Sequence, residues 1–263
     1  MQLENKVALI TGINNDVGYT TAIAMAKAGA KVAIADRDVE RGEAVAARIK
    51  QNGGEAFFYE VDITLDRYAI ELVNKIVNRY GSIDVAFNNA CMESDYYPIA
   101  QQPESLVARL IDFNFNGTWI CIKHEIQQML KQKHGAIVNN VGKYKTDGSL
   151  GCAIHRANKA AIEAITQTAA VEYGRYNIRV NAISPGIVER STMLAPRVNE
   201  DGEEIDIDGM QGKMSSSEII PMARTCKFQE VAQTVIWLCS DDASFITGHT
   251  VPIDGGLKAL TAQ

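Results

Sequence analysis

The chain has 263 residues, of which 46% are hydrophobic and 22% charged, and its formal net charge is −6. This is enough apolar material for a sizeable core, in one large α/β domain or two small ones. The acidic balance offers no basic stripe, so neither nucleic acid nor an anionic membrane is expected as a partner.

The cysteines and the N-terminus indicate a cellular compartment. Five cysteines are scattered without a C-x-x-C pair or a Cys/His metal-ligand spacing, so free thiols in a reducing environment are expected. The stretch MQLENKVALITG lacks the apolar core of a signal peptide, and no apolar run approaches the length of a membrane span. We therefore expect a soluble cytoplasmic protein.

The first third of the chain alternates short apolar runs with helical patterns. Buried strands are predicted at KVALITG, KVAIAD, EAFFYEVD and IDVAFNNA. Helices between them are predicted at YTTAIAMAKAGA, VERGEAVAARIKQNGG and RYAIELVNKIVNRYG, with glycines marking their ends.

The alternation returns later in the chain. Strands are predicted at GAIVNNVG and IRVNAISPG, helices at NKAAIEAITQTAAVEYG and FQEVAQTVIWLCS, and HTVPIDGG closes the series. Alternating strands and helices predict parallel strands, right-handed crossovers and a doubly wound, Rossmann-like α/β sheet. With no internal repeat or low-complexity linker, residues 1–263 are expected to form a single domain.

The segment 190–227 interrupts this alternation. It contains RVNEDGEEIDIDG, which is dense in acids, followed by KMSSSEII. A connection this long is usually a functional loop, and we interpret it as a substrate-binding lid inserted in the domain. The acidic spacing is not that of an EF-hand, so a solvated surface is expected and no metal site.

The turn after the first strand suggests a dinucleotide site. It is TGINNDVG, from Thr11 to Gly18, and it lies between the first strand and the first helix. A glycine-rich turn there lets backbone N–H groups approach a pyrophosphate at the helix N-terminus. Two glycines alone are a weak signal, and their position strengthens it.

The end of the second strand bears on the choice of cofactor. Asp36 stands eighteen residues after Gly18, where an acid accepts hydrogen bonds from ribose hydroxyls and repels a 2′-phosphate. This favours NAD over NADP. Arg37 is a counterargument, because an arginine can hold a phosphate. The alternative interpretation is that Asp36 caps the next helix.

Several further motifs occur in a fixed order. They are Asp62 after the third strand, N-N-A at 88–90, Asn114 in the following helix, N-x-x-S-P-G at 181–186 and D-G-G at 254–256. With the first turn, they make the chain resemble the short-chain dehydrogenase/reductase family over essentially its whole length. The resemblance implies that the cofactor is held by Thr11, Gly12, Gly18, Asp36, Asp62, Asn89, Lys159, Pro185 and Gly186.

The catalytic positions depart from the family pattern. The family uses an asparagine, a serine and a Y-x-x-x-K pair, and matching them here gives Asn114, Gly142, His155 and Lys159. The resemblance therefore implies that Asn114, His155 and Lys159 are catalytic. Histidine also performs acid/base chemistry, but imidazole falls about 2 Å short of a tyrosine oxygen. A charged Lys159 nearby would disfavour the imidazolium form.

Other departures flank the site. Asp16 replaces the middle glycine of the first turn, Cys91 the last residue of N-N-A-G, and Arg190 a threonine that contacts the nicotinamide amide. A carboxylate at Asp16 repels a pyrophosphate unless it points away, pairs with a cation, or caps a helix starting near Val17. Without the serine, the groups that could bind a substrate oxygen are Asn140, Lys143, Tyr144 and Lys145.

Three functions remain open at this point. The first is an NAD(H)-linked oxidoreductase acting on a small carbonyl or hydroxyl substrate with an atypical site. The second is a non-redox dehydratase, isomerase or cyclase that uses His155 as acid/base, since fold does not fix function. The third is a non-catalytic subunit. The resemblance implies a homodimer or homotetramer, and the Ala-rich helix at 158–173 suits close helix packing.

Overall fold

The computed structural model describes residues 1–92, 97–142, 151–189 and 219–260. Its strands are β1 (Val7–Thr11), β2 (Lys31–Asp36), β3 (Ala56–Glu60), β4 (Val85–Asn88), β5 (Gly135–Asn140), β6 (Ile178–Pro185) and β7 (Thr250–Ile253). Within the described ranges these strands form one sheet in the order β3-β2-β1-β4-β5-β6-β7, and every neighbouring pair is parallel. The expected doubly wound sheet is confirmed.

Helices connect the strands across both faces of the sheet. They are α1 (Asp16–Lys27), α2 (Val39–Gln51), α3 (Asp66–Tyr80), α4 (Glu104–Leu110), α5 (Gly117–Gln132), α6 (Ala153–Tyr173), α7 (Phe228–Cys239) and α8 (Leu257–Leu260). A π-helical segment, Ile111–Asn116, joins α4 to α5, and short 3₁₀ turns occur at Ile99–Gln101, Gly174–Tyr176 and Asp241–Ala243. The π segment was not predicted from the sequence.

The core consists of two main apolar clusters, one on each face of the sheet. In β1, Ala8 and Ile10 point into the cluster that includes α1, α2 and α7, whereas Val7 and Leu9 point into the cluster that includes α3, α5 and α6. A strand with apolar side chains on both faces is therefore buried on both sides, as its uninterrupted apolar sequence predicts.

Two helices, α1 and α6, begin more than one residue before their predicted starts. α1 begins at Asp16, because Asn15 caps it by accepting a hydrogen bond from the Gly18 backbone. α6 begins at Ala153, five residues before the predicted start at Asn158, and so includes His155 near its N-terminus. Residues 190–218 of the proposed lid lie outside the described residues. Val188, before that segment, and Cys226, after it, pair in an isolated parallel bridge.

The expectations from the sequence also concerned disulfides, membrane-spanning helices and metal-ligand clusters. The five cysteines, all within the described ranges, form no disulfide with one another. None of the described helices combines the length and apolarity that crossing a bilayer requires. Among the described residues, no cluster of three or more His, Cys, Asp or Glu side chains is arranged to hold a metal ion.

Candidate active site

The turn after β1 is built by two glycines that tolerate no side chain. Gly12 has φ of +76°, and a Cβ added to it would lie 2.3 Å from the Ala90 Cα. A Cβ on Gly18 would lie 2.0 Å from the Gly12 carbonyl oxygen. The glycines therefore let the turn lie against the end of β4 and let α1 begin directly above the turn, so that the helix N-terminus faces the cleft.

Carboxamides fix the backbone of this turn. The Asn89 side-chain amide donates to the Gly12 carbonyl at 2.6 Å, and the Asn140 amide donates to Asn89 Oδ1 at 2.7 Å. Asn140 Oδ1 in turn accepts from the Gly142 backbone at 2.9 Å. The described contacts of Asn89 hold the turn, and its contact with the cofactor stays a prediction. Thr11 is buried, and its hydroxyl donates to Asn88 Oδ1 of β4 at 3.5 Å.

One acidic side chain, Asp36 at the end of β2, lines the cleft above the carboxyl ends of β2 and β3. The cleft is lined by Gly12, Asn14, Ala35, Asp36, Arg37, Val61, Ile63, Ala90, Cys91 and Phe113. Asp36 accepts from the Ile13 backbone at 2.7 Å, so it also holds the glycine-rich turn. It does not cap α2, because that cap is Asp38, which accepts from the Arg41 backbone. The helix-cap interpretation of Asp36 is therefore wrong.

Arg37 is engaged by neighbours at the same end of the cleft. Its guanidinium forms a 2.5 Å ion pair with Asp62 and lies over the Phe113 ring at 4.9 Å. Burial raises the pKa of Asp62, but hydrogen bonds from Arg37 and Thr64 outweigh it and leave the pKa lowered. Arg37 therefore carries a charge that is paired with a carboxylate, on a side chain that is 47% exposed.

Asp16 pairs with a cation. Its carboxylate is 6% exposed and accepts from Arg41 Nη2 of α2 at 3.1 Å. The proposed capping role is wrong, because the Asn15 side chain occupies that position. Of the three arrangements that would relieve repulsion of a pyrophosphate, pairing with a cation is the one observed. Sequence reasoning did not identify Arg41, and an arginine three residues after the Asp38 cap gave no distinctive signal.

His155 and Lys159 share one face of α6 near its N-terminus. Lys159 is 4% exposed, and its ammonium donates to the Asn140 backbone carbonyl at 2.9 Å, which ties α6 to the end of β5. The Nε2 atom of His155 is buried. Burial lowers the pKa of His155 to about 4, and the charge of Lys159 lowers it further in the same direction. The imidazole is therefore neutral at neutral pH.

Asn114 lies in the π-helical segment and holds the loop that follows β4. Its Oδ1 accepts from the Met92 backbone at 2.6 Å, and its Nδ2 donates to the Met92 carbonyl at 2.9 Å. Both polar ends of this side chain are therefore used to hold backbone. Its catalytic role stays a prediction, and the described contacts give it a positioning role beside Cys91.

At the position expected for a serine, Gly142 leaves little room for a side chain. A Cβ on Gly142 would lie 3.2 Å from Asn140 Oδ1 and 3.6 Å from the Pro185 ring. Pro185 ends β6, and Gly186 donates to the Ile253 carbonyl at 3.0 Å, so both lie at the carboxyl edge of the sheet. Of the four residues expected to bind a substrate oxygen, Asn140 lies among the described residues. Its side chain already forms hydrogen bonds with Asn89 and with the Gly142 backbone. Lys143, Tyr144, Lys145 and Arg190 lie outside the described residues.

A buried acid beneath the cleft was missed by the sequence reasoning. Glu125 of α5 is 1% exposed, and its Oε2 accepts from the Asn88 amide at 2.9 Å. Burial raises its pKa to about 7, against which the hydrogen bond from Asn88 acts. One signal could have identified it, because Glu125 interrupts an apolar stripe of α5 at helical spacing from Cys121 and Met129.

Comparisons with known proteins agree with this architecture. A family model described as enoyl-(acyl carrier protein) reductase matches residues 12–258. A short chain dehydrogenase/reductase of Aspergillus oryzae is 34% identical over 98% of this chain and 97% of its own length. A 2,5-dichloro-2,5-cyclohexadiene-1,4-diol dehydrogenase of Sphingobium indicum is also 34% identical, over 98% of this chain and 99% of its own.

A solved structure is similar to this chain in fold as well as in sequence. The crystal structure of an NAD⁺-bound xylitol dehydrogenase superposes with a TM-score of 0.86 at 31% identity, covering 97% of this chain and 100% of that chain. Similarity in sequence and in fold thus extends over nearly the full length of the chain. The chain belongs to the short-chain dehydrogenase/reductase family.

Proposed function

We propose that the protein is an NAD(H)-linked oxidoreductase acting on a small carbonyl or hydroxyl substrate. The observation that carries this proposal is the charge arrangement at the ends of β2 and β3. Asp36 lines the cleft beside the glycine-rich turn, while the neighbouring cation, Arg37, is paired with Asp62. A carboxylate accepts hydrogen bonds from ribose hydroxyls and repels a 2′-phosphate. An arginine that is already paired with an acid binds such a phosphate less strongly.

The residues present fit a dinucleotide. Gly12 and Gly18 bring the N-terminus of α1 against the turn, where backbone N–H groups favour an anionic phosphate. Val61, Ile63 and Ala90 supply apolar walls suited to an adenine, and Asp62 is paired with Arg37 of the same lining. Lys159 and Pro185 lie at the opposite end, by β5 and β6, where the nicotinamide half would be held. When bound, nicotinamide supplies or accepts the hydride.

The chain's own residues would act on the substrate oxygen. A neutral His155 donates or accepts one hydrogen bond at each ring nitrogen, so it can orient a carbonyl without carrying charge. With a pKa of about 4, it is a weak base at neutral pH. Lys159, held by the Asn140 carbonyl, supplies the positive charge that stabilises a developing alkoxide. We therefore propose polarisation by Lys159 and orientation by His155.

The weak basicity of His155 also bears on the non-redox alternative, which requires a histidine base. The relatives named above are called dehydrogenases or a dehydrogenase/reductase, two of them acting on a diol and on xylitol. These names support a hydroxyl or carbonyl substrate and give no support to a dehydratase, isomerase or cyclase. A non-catalytic subunit would be excluded by any turnover.

We also propose assembly into a homodimer or homotetramer through α5 and α6, as the resemblance implies. Both helices present large apolar side chains to solvent in the monomer, with Trp119 47% and Val171 86% exposed. Covering such side chains is a common reason for self-association. Sedimentation analysis of the purified chain at micromolar concentration tests this, and a monomer would contradict it.

The cofactor is tested by titrating the protein with NADH and with NADPH. NADH is expected to bind at least about tenfold more tightly, and Asp36→Asn to narrow that ratio by weakening NADH and admitting NADPH. A wild-type protein that prefers NADPH would refute the assignment of Asp36.

Catalysis is tested by following NADH absorbance with a panel of small ketones, aldehydes and diols. Lys159→Ala is expected to abolish turnover, whereas Lys27→Ala, at the exposed end of α1, is expected to leave it unchanged. The proposal fails if NADH does not bind and Lys159→Ala has no effect on any turnover detected. Turnover without a change in nicotinamide absorbance would instead support non-redox chemistry.

A further inference from the structure

The pair between Asp16 and Arg41 lies at the N-terminus of α1. Asp16 is the first residue of the helix and is 6% exposed, and Arg41 reaches it from the first turn of α2 at 3.1 Å. The Arg41 side chain is 23% exposed, and its guanidinium lies 5.8 Å from the centroid of the Tyr19 ring. A nearly buried carboxylate is thus held in one place by one identified cation.

The Asp16 carboxylate is not needed to cap α1. Asn15 already caps α1, since its Oδ1 accepts from the Gly18 backbone at 2.9 Å. Asn15 is itself held by the Asn89 amide at 3.2 Å, so the cap is fixed from β4 as well. Asp16 is therefore an extra negative charge at a helix end that already has a cap.

That helix end is also where the proposed dinucleotide would place its pyrophosphate. The backbone N–H groups and the helix dipole attract one anion, and a nearby carboxylate competes for them and repels a second. In a partly buried site the repulsion is poorly screened by salt. A paired carboxylate, by contrast, presents almost no net charge to the cleft.

We propose that Arg41 is a positioning residue for cofactor binding, which neutralises Asp16 and holds its carboxylate toward α2 so that the α1 N-terminus can accept a phosphate. This inference rests on the proposed function. Arg41 does not have to touch the cofactor. Its importance depends entirely on Asp16, and this dependence distinguishes the proposal from a general structural role.

The test is a double-mutant cycle of NADH affinity. The four proteins are wild type, Asp16→Asn, Arg41→Met and the double variant, where methionine retains an unbranched stem over Tyr19. NADH binding is measured by calorimetry at low and at moderate salt. Arg41→Met is expected to weaken binding about tenfold or more, because it leaves a buried charge unpaired. Asp16→Asn is expected to bind at least as tightly as wild type.

The double variant decides the question. Affinity within about threefold of that of Asp16→Asn supports the proposal, because removing the acid makes the arginine unnecessary. An equal loss from Arg41→Met in both backgrounds, or no loss at all, overturns it. Arg41→Lys is a second variant in case methionine destabilises α2: it keeps the charge and is expected to retain most of the affinity, and a loss as large as that of methionine counts against the proposal.

The failure of this inference can be told from the failure of the proposed function. If wild type binds neither NADH nor NADPH, the proposed function falls. The same four proteins are then titrated with inorganic pyrophosphate, which carries the anion without the nucleoside. The same dependence of affinity on Asp16 would still support the role of Arg41, and no pyrophosphate binding by any of them would overturn it. Thermal unfolding of each apoprotein verifies that it is folded.

Discussion

Glu125 offers a sharp test of the electrostatics inside the fold. Its side chain is fully enclosed between α5 and the sheet, with Oε2 accepting from Asn88 and Oε1 buried without a hydrogen-bond partner. Such a carboxyl is stable when neutral and costly when ionised. Replacing it with glutamine keeps the size and keeps an acceptor for the Asn88 amide, while removing the capacity to ionise.

The size of the effect follows from the pKa. Burial raises the pKa of Glu125 from 4.5 to about 7. In the unfolded chain the carboxyl loses its proton near 4.5, so between these values the folded state binds more protons and rising pH destabilises it. At about 1.4 kcal/mol per pH unit, the full penalty above about pH 8 amounts to about 3 kcal/mol.

The expected result is a pH-dependent difference between two proteins. Free energies of unfolding of wild type and Glu125→Gln are measured by urea titration, followed by circular dichroism, at several values from about pH 4.5 to about pH 8. Over that range, Glu125→Gln is expected to gain about 3 kcal/mol relative to wild type. Glu43→Gln, on the exposed face of α2, is the matched control and is expected to show no such trend.

Comparing differences across pH separates ionisation from packing. A glutamine Nε2 at the Oε1 position is also buried, so Glu125→Gln can carry a constant cost of about 1–3 kcal/mol at every pH. That cost changes the free energy of unfolding of Glu125→Gln by the same amount at every pH, so it leaves the pH dependence unchanged. A difference between the two proteins that stays flat from about pH 4.5 to about pH 8 would refute the reasoning, because Glu125 would then titrate alike in the folded and unfolded chains.

Three further predictions concern the cleft. Burial lowers the pKa of His155 to about 4, so wild type should lose up to about 3 kcal/mol of stability as pH falls from about 6.5 to about 4, and His155→Gln should lack this loss in acid titrations of unfolding. Gly18→Ala should cost about 3 kcal/mol in chemical unfolding, since its Cβ would lie 2.0 Å from a carbonyl oxygen, whereas Gly174→Ala, with nothing within 4 Å, should be neutral; equal effects would contradict this. Gly142→Ser with His155→Tyr should raise NADH-dependent carbonyl reduction about 10²-fold or more if the cleft is otherwise intact, because it restores both hydroxyls, and tight NADH binding without any gain would indicate a reshaped pocket.

Much of the fold could be predicted because its signals are local. The apolar runs of β1 and β2 and the glycine after α1 reflect burial and backbone freedom that a short stretch of residues determines. The π-helical segment at Ile111–Asn116 left no such mark. It places Asn114 against the Met92 backbone, and that contact depends on a loop 22 residues away in sequence.

Sequence patterns predicted which residues belong to the candidate site better than they predicted what those residues contact. Asp36, Asp62 and Asn89 lie around the cleft or the turn beside it, but each also holds backbone or another side chain. Asp36 fixes Ile13, Asp62 binds Arg37 and Thr64, and Asn89 clamps Gly12. Residue type and spacing indicate where a side chain lies, whereas its partner is chosen among all elements that meet at that edge.

The sequence by itself determined the alternation of strands and helices, the glycine turn, the motif order and the departures at Asp16, Gly142 and His155. The tertiary structure decided their consequences. It pairs Asp16 with Arg41, and it places His155 where burial and Lys159 keep the imidazole neutral. It also encloses Glu125 beside Asn88. The physical reason is that desolvation and Coulomb interactions depend on distances between segments remote in sequence, which only the folded chain fixes.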